Sequence, residues 1–266
     1  MSATGAASSL QRKPGFAVAA RLGHAVNGLL HLLIGVIAFR LATGGGGGEA
    51  DQSGALGSIA GSPGGRVLLW IIVVGLLGLG LWQLVETVLA RGEDAKRTWA
   101  ARAKELGKAV AYLAIAATAL RFAMGGSSDS SEQTQSLSAR VLAAPGGVAL
   151  LVVLGLAVVA VGVYFGFKGA TKRFQEDISV PSGSLGRGIT ALGVAGYIAK
   201  GVALVAVGVL FVVGAATADP SRATGLDGAL QALAALPAGV AVLAITGLGL
   251  IAYGLYCGAR ARYAKL

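Results

Sequence analysis

Long apolar stretches alternate with short polar ones along the whole chain. Six of the stretches reach the length of about 20 residues that a helix needs to cross the hydrocarbon core of a bilayer. Glycine-rich or charged segments separate them. The pattern therefore predicts an all-α integral membrane protein with six transmembrane helices. The predicted spans are residues 22–41, 67–90, 106–123, 148–167, 189–215 and 238–258.

The second, fourth and sixth spans each begin after a Pro-Gly-Gly or Pro-Ala-Gly turn. Counted from that proline without gaps, all three copies carry a glycine at one position and an aromatic residue two places later. These residues are Gly80, Gly162 and Gly254, followed by Trp82, Tyr164 and Tyr256. Spans one and five align with each other through recurring glycines. Repetition on this scale predicts three tandem two-helix repeats.

The repeats divide the chain into four parts. Residues 1–15 are rich in Ser and Ala and too polar to build a core, so we expect a mobile N-terminal tail. Repeat 1 then covers residues 16–92, repeat 2 covers residues 93–178 and repeat 3 covers residues 179–266. Within each repeat the order is helix, polar loop, short amphipathic segment and helix.

The short segment of repeat 3 has the clearest amphipathic pattern. Leu226, Leu230 and Leu233 follow one another at helical spacing and share one face. A helix with such a face can lie at the membrane surface, and we expect this position for it. The aromatic residues at the matched positions of the three repeats are expected to form an interfacial belt.

The distribution of charge gives the orientation. Hydrophobic residues make up 55% of the 266 residues, charged residues make up 13%, and the net charge is +10. Lys and Arg concentrate in the N-terminal segment, in the connectors after spans two and four, and in the C-terminal tail, which places both termini in the cytoplasm. Each repeat contains two spans, so all three point the same way, and we expect a pseudo-threefold axis along the membrane normal. The positions of the basic residues are explained by the membrane topology, and these residues form no surface that would read a nucleic acid.

Five polar residues inside the predicted spans are the candidates for a functional site. His24, Asn27 and His31 lie on one stripe of span one, Glu86 lies in span two and Lys200 in span five. Ionisable groups at membrane depth are functional candidates by default. A proton relay, a metal site or axial haem ligation would use the histidines. The alternatives are interhelical hydrogen bonds for these groups, and for Lys200 either snorkelling or a pair with Glu86.

Other chemistry is not indicated. The single cysteine, Cys257, excludes an intramolecular disulfide framework, and both histidines lie on one helix, so a metal or haem would need ligands from elsewhere. No nucleophile is paired with a base, and we expect neither a cofactor nor enzymatic activity. Small-xxx-small patterns instead predict close helix packing. The packing candidates are Gly80, Gly162, Gly166, Gly254 and Gly258.

Residues 23–28 (GHAVNG) and 196–201 (GYIAKG), together with the Pro-Gly start of each second helix, resemble a bacterial family, the domain of unknown function 1206. The resemblance covers almost the whole chain. It implies three tandem two-helix repeats in the cytoplasmic membrane, without an established activity. Tyr197 and Lys200 match the aromatic and basic positions of the signature, whereas His24 and Asn27 depart from it.

Two functions remain open at this point. The first is an accessory or scaffold subunit whose helices or outer segments bind another membrane protein or lipid. The alternative is a small-solute or ion channel or carrier with a pathway between the repeats. The two differ in where the polar side chains point, because a wet cavity favours transport and dry helix contacts favour a scaffold.

Overall fold

The structure is a computed structural model that describes residues 14–45, 48–90 and 94–265. Within these ranges the chain is helical and contains no strand. The long helices are α1 (Pro14–Ala42), α3 (Gly65–Leu89), α4 (Ala95–Ala123), α6 (Gly147–Ala170), α7 (Gly183–Ala216) and α9 (Gly239–Tyr263). The short ones are α2 (Gln52–Ala60), α5 (Ser130–Ala143) and α8 (Gly225–Ala234), with 3₁₀ turns at Arg173–Asp177 and Pro220–Arg222. The tail predicted over residues 1–15 lies outside the described residues except for its end, where α1 begins.

All six long helices are long and apolar enough to cross a membrane. This confirms the prediction of an all-helical protein with six spans. Three helices begin well before the predicted spans: α1 begins at Pro14, α4 at Ala95 and α7 at Gly183. The charged connector before span three is thus the first part of α4, where the Asp94 carboxylate accepts a hydrogen bond from the Arg97 N–H at 2.7 Å and caps the helix.

The Pro-Gly turns have one backbone geometry in all three repeats. Gly64 and Gly146 have φ of 75°, and Ala238, at the same position of repeat 3, has φ of 59°. The next residue is glycine in every repeat, because a side chain there would collide with a carbonyl oxygen of the preceding short helix. The turn at the start of each second span therefore requires glycine at this position.

The helices form two compact units. The described residues within Met1–Gly28, Ile59–Ser127 and Cys257–Leu266 form unit 1, and those within Leu29–Ser58 and Ser128–Tyr256 form unit 2. In unit 1, helices α3 and α4 pack along each other. A methyl group on Gly80 would lie 2.8 Å from the Leu113 side chain, and one on Gly75 would lie 2.9 Å from the Val26 side chain. Close packing in this unit thus depends on glycine.

In unit 2, helices α6 and α7 cross at matched glycines. A methyl group on Gly201 would lie 2.7 Å from the Gly162 carbonyl oxygen, and one on Gly208 would lie 2.6 Å from the Gly155 carbonyl oxygen. Backbone atoms cannot move aside as flexible side chains can. The absence of a Cβ therefore allows these two helices to approach backbone to backbone.

The amphipathic helix α8 packs into unit 2 with its apolar face. Leu230 is fully buried, and Leu226 and Leu233 pack around the same core. That core consists of Ala38, Ala50, Ala203, Leu230 and Leu243. The face that was expected to rest on the membrane surface is thus covered by protein, because small alanines on the neighbouring helices leave space for the leucines.

Candidate functional site

Three of the five candidate polar residues belong to unit 1. His24 and Asn27 lie on α1 and are 4% and 5% exposed. The Asn27 amide donates a hydrogen bond to the Cys257 Sγ atom at 3.5 Å. Glu86 lies near the end of α3 and is partly buried. The Asn27 contact is an interhelical hydrogen bond of the kind that joins membrane helices.

The other two candidates, His31 and Lys200, meet at Tyr253 in unit 2. The His31 and Tyr253 ring centroids are 4.8 Å apart. The Lys200 ammonium lies 4.4 Å from the Tyr253 ring centroid, 5.2 Å from that of Phe165 and 3.4 Å from the Tyr253 hydroxyl oxygen. Attraction between a cation and an aromatic face is worth about 0.5–2 kcal/mol, increasing as water is removed. The two rings thus stabilise the charge at membrane depth.

Tyr253 is part of a larger group of rings, which we call the aromatic cluster. Its members are Phe165, Phe174, Tyr197, Tyr253 and Tyr256. Tyr197 lies at the centre, stacked on Phe174 at 5.3 Å and on Phe165 at 5.6 Å, with the rings of Tyr253 and Tyr256 at 5.3 and 5.5 Å. The Tyr256 hydroxyl donates to the Phe174 carbonyl oxygen at 3.3 Å. Such edge and stacked pairs add about 0.5–1.5 kcal/mol each to the burial of the rings.

Glycines on α7 make room for the aromatic cluster. A methyl group on Gly196 would lie 2.5 Å from the Tyr253 Cα atom, and one on Gly193 would collide with the Phe174 ring. Phe174 is held by the 3₁₀ turn that follows Lys172, whose backbone has φ of 59°. The aromatic cluster thus joins a turn residue to three membrane helices, α6, α7 and α9.

A second cation lies beside the aromatic cluster. The Lys168 ammonium is 5.6 Å from the Tyr197 ring centroid and 2.6 Å from an Asp177 carboxylate oxygen. The Lys200 charge thus lies against two ring faces and a phenol hydroxyl, and the Lys168 charge lies against a ring face and a carboxylate. Among the residues that the structure describes, no group of three or more His, Cys, Asp or Glu side chains could hold a metal ion.

Sequence reasoning selected His31 and Lys200 but missed the residue between them. Tyr253 takes the position that Leu79 and Val161 occupy in the other repeats, so the repeat pattern gave no sign of it. Glu86 lies in unit 1 and Lys200 in unit 2, and the pair proposed between them stays a prediction. Of the matched aromatic residues, Tyr164 is 44% exposed, whereas Trp82 and Tyr256 are buried. The expected aromatic belt is thus largely replaced by internal packing.

The glycine candidates differ in their surroundings. Gly80 and Gly162 each face a neighbouring helix closely, with a methyl group meeting other atoms at 2.8 Å. Gly254 is buried. A methyl group on Gly166 or Gly258 would meet nothing within 4 Å. The second glycine of each small-xxx-small pattern in α6 and α9 is thus open on its Cβ side.

Comparison with known proteins supports the architecture seen in the structure. A family model described as Domain of Unknown Function (DUF1206) matches residues 22–90, 104–172 and 195–264. The chain belongs to this family. The three matches confirm the three tandem repeats, and this DUF1206 protein is therefore a repeat-built, multi-pass membrane protein whose helices contact the lipid bilayer.

A relative in Bacillus subtilis (strain 168), described as "Uncharacterized protein YxxB", is 34% identical over 253 residues. The alignment covers 92% of the DUF1206 chain and 90% of the relative. No solved structure matches the chain. The similarity thus extends over the whole six-span architecture.

Proposed function

We propose that this DUF1206 protein is a non-enzymatic accessory or scaffold subunit of the bacterial cytoplasmic membrane, with both termini in the cytoplasm, and that it binds another membrane protein. The observation that carries the proposal is the arrangement around Tyr253. His31 and Lys200, both partly buried, contact its ring. Polar groups held in this way stabilise helix packing, which supports a structural role.

The described cavities of unit 2 agree with this proposal. One, of about 710 Å³, opens beside the start of α7 and is lined by residues such as Lys172, Arg187 and Thr190. The other, of about 570 Å³, is an apolar groove along α6 and α7 that includes Gly162 and Gly166. Neither has His31 or Lys200 in its wall. The polar side chains at membrane depth are thus separate from both of these spaces.

Helix α6 is the surface that we assign to the partner. It is the most apolar of the six spans. In its most apolar stretch of 18 residues, only 17% is buried inside the protein. Val153, Leu156 and Val163 are 62%, 55% and 60% exposed. A helix that contributes little to the internal core retains an apolar face for another membrane helix.

Site-specific photocrosslinking in native membranes tests the proposal. A photoreactive residue at Val153, Leu156 or Val163 should give one discrete protein adduct of constant size. The matched control is Ile245 on α9, which is 69% exposed and should label lipid only. Diffuse lipid labelling from all four positions would contradict the scaffold function.

A further inference from the structure

Four carboxyl groups meet where the short helices of unit 2 begin. Glu49 and Asp51 precede α2, Asp129 caps α5, and Asp227 lies in the first turn of α8. These residues form what we call the acidic cluster. Each comes from a loop or helix start on the side of the membrane opposite the predicted cytoplasmic face. All three short segments of the repeats therefore contribute to it.

Hydrogen bonds hold the members of the acidic cluster in place. Asp51 accepts from the Gly54 N–H at 3.0 Å, and Asp129 accepts from the Glu132 N–H at 2.8 Å. Asp227 joins two segments, because its Oδ1 atom accepts from the Ala50 N–H at 2.8 Å. These bonds bring negative charges together that would repel one another if all were ionised.

The hydroxyl groups of Ser53 and Ser130 add a further link. Their oxygen atoms are 2.5 Å apart, so α2 and α5 are joined directly beside the acidic cluster. The second carboxyl oxygen of Asp227 accepts from the Gln231 amide at 2.7 Å within α8. The three segments thus form one connected outer network.

One contact within the acidic cluster requires a proton, and one buried carboxyl oxygen favours one. The side chains of Glu49 and Asp129 are hydrogen-bonded to each other. Ionised carboxylates only accept, so one of the two must carry a proton to donate. Asp51 is 1% exposed, and its Oδ2 atom is buried without a hydrogen-bond partner. A buried carboxyl oxygen in this state also favours the protonated form.

We propose that the acidic cluster is a proton-binding site, in which a proton on Glu49, donated to Asp129, joins the outer segments of unit 2 and its loss separates them. The site thus makes the outer face of the protein sensitive to pH. The inference does not depend on the scaffold function, because it concerns residues outside the spans.

The electrostatics of Glu49 support the site. Burial, followed by the charges of Asp51, Asp129 and Asp227, raises the pKa of Glu49 to about 7 from its ordinary value of 4.5. Burial also raises the pKa of Asp51, against the opposing effect of the Gly54 N–H. A carboxyl group with a raised pKa favours the joined state fully below its ordinary pKa, and this contribution is lost as pH rises through about 7.

Amide hydrogen exchange of the full chain in lipid nanodiscs tests the proposal. Protection of the Ala50 N–H and of the first turn of α5, corrected for the intrinsic effect of pH on exchange, should fall at least tenfold between about pH 5 and about pH 9. Glu49→Gln should remove this dependence, because its amide donates to Asp129 without a proton. Asp129→Asn should do the same from the other side and serves as the second variant.

The control is Glu132→Gln, which removes an exposed carboxyl group on α5 and should leave the pH dependence as in the wild type. Equal protection of the wild type at both pH values would overturn the proposal. So would an unchanged pH dependence in both Glu49→Gln and Asp129→Asn. Full protection restored by Ca²⁺ at high pH would also overturn it, because the cluster would then be a site for metal cations.

Discussion

At the scale of single residues, the turn before each second span contains a position with positive φ that is not glycine in every repeat. Three equivalent positions have positive φ, and two of them are glycine. The third is Ala238, with φ of 59°. A left-handed conformation costs an L-residue roughly 1–2 kcal/mol, because Cβ approaches the following carbonyl oxygen. Repeat 3 therefore carries strain that repeats 1 and 2 avoid.

Replacing Ala238 by glycine should stabilise the protein by up to about 1 kcal/mol, since the strain relieved exceeds the roughly 0.5–1 kcal/mol of added chain entropy. The reverse change, Gly64→Ala, should destabilise it by a similar amount. A methyl group on Gly64 meets nothing within 4 Å, so only the backbone is tested there. Unfolding free energies in mixed micelles measure both. A loss of stability in Ala238→Gly would show that the backbone of Ala238 is not strained.

The site itself could be predicted only in part from single residues. A Lys inside a span is unusual enough to be noticed from sequence alone, and so are histidines on one stripe. The partner of Lys200 could not be found in this way, because a tyrosine in an apolar run carries no marker of its contacts. Tyr253 and Phe165 lie against the cation, and neither expectation for Lys200, snorkelling or a pair with Glu86, includes these contacts.

At the scale of helices, the crossing of α6 and α7 depends on which face of α6 carries glycine. Gly162 and Gly166 are one turn apart, and they are the two glycines of a single small-xxx-small pattern. In the structure a methyl group on Gly162 would lie 2.8 Å from the Gly201 carbonyl oxygen, whereas one on Gly166 would meet nothing within 4 Å. Two positions that sequence treats alike thus have different roles.

Gly162→Ala should destabilise the protein by about 1–3 kcal/mol, because the backbone of α7 must move away. Gly166→Ala is the matched control. It should be neutral or stabilising by up to about 1 kcal/mol through helix propensity. Denaturant titration of both variants in the same micelles compares them directly. Equal destabilisation by the two changes would show that the crossing does not depend on Gly162.

Helix boundaries and helix environment were less predictable than helix identity. The apolar runs indicate all six spans, because lipid imposes a length and a composition. They do not indicate that α4 continues back to Ala95. The first part of that helix is charged, and a helix outside the membrane needs no apolar run to mark it. Nor does the leucine stripe of α8 show whether lipid or protein covers it. The alanines that cover it lie far away in sequence, at Ala38 and Ala203.

At the scale of the whole molecule, the repeats and the compact units divide the chain differently. The family matches give three consecutive repeats, whereas the contacts give two units, each assembled from parts of several repeats. Helices α1 and α9 contribute residues to both units. Sequence repetition follows the order of duplication, and packing follows side-chain shape, so the second cannot be read from the first.

The central claim for the whole molecule is that its polar groups at membrane depth are dry and structural. The most direct test is the reaction of cysteine with a charged, membrane-impermeant thiosulfonate. Cys257→Ala removes the single native thiol, and Lys200→Cys or His31→Cys then places one at the aromatic cluster. Lys172→Cys, at an exposed position, is the positive control.

We expect Lys172→Cys to react and Lys200→Cys and His31→Cys to remain unmodified from either side of the membrane. The reason is that an aromatic cluster that excludes water, as the account requires, also excludes a charged reagent. Rapid modification of Lys200→Cys and His31→Cys would contradict the claim, because a water-filled pathway would then reach the aromatic cluster and the protein would be a channel or carrier.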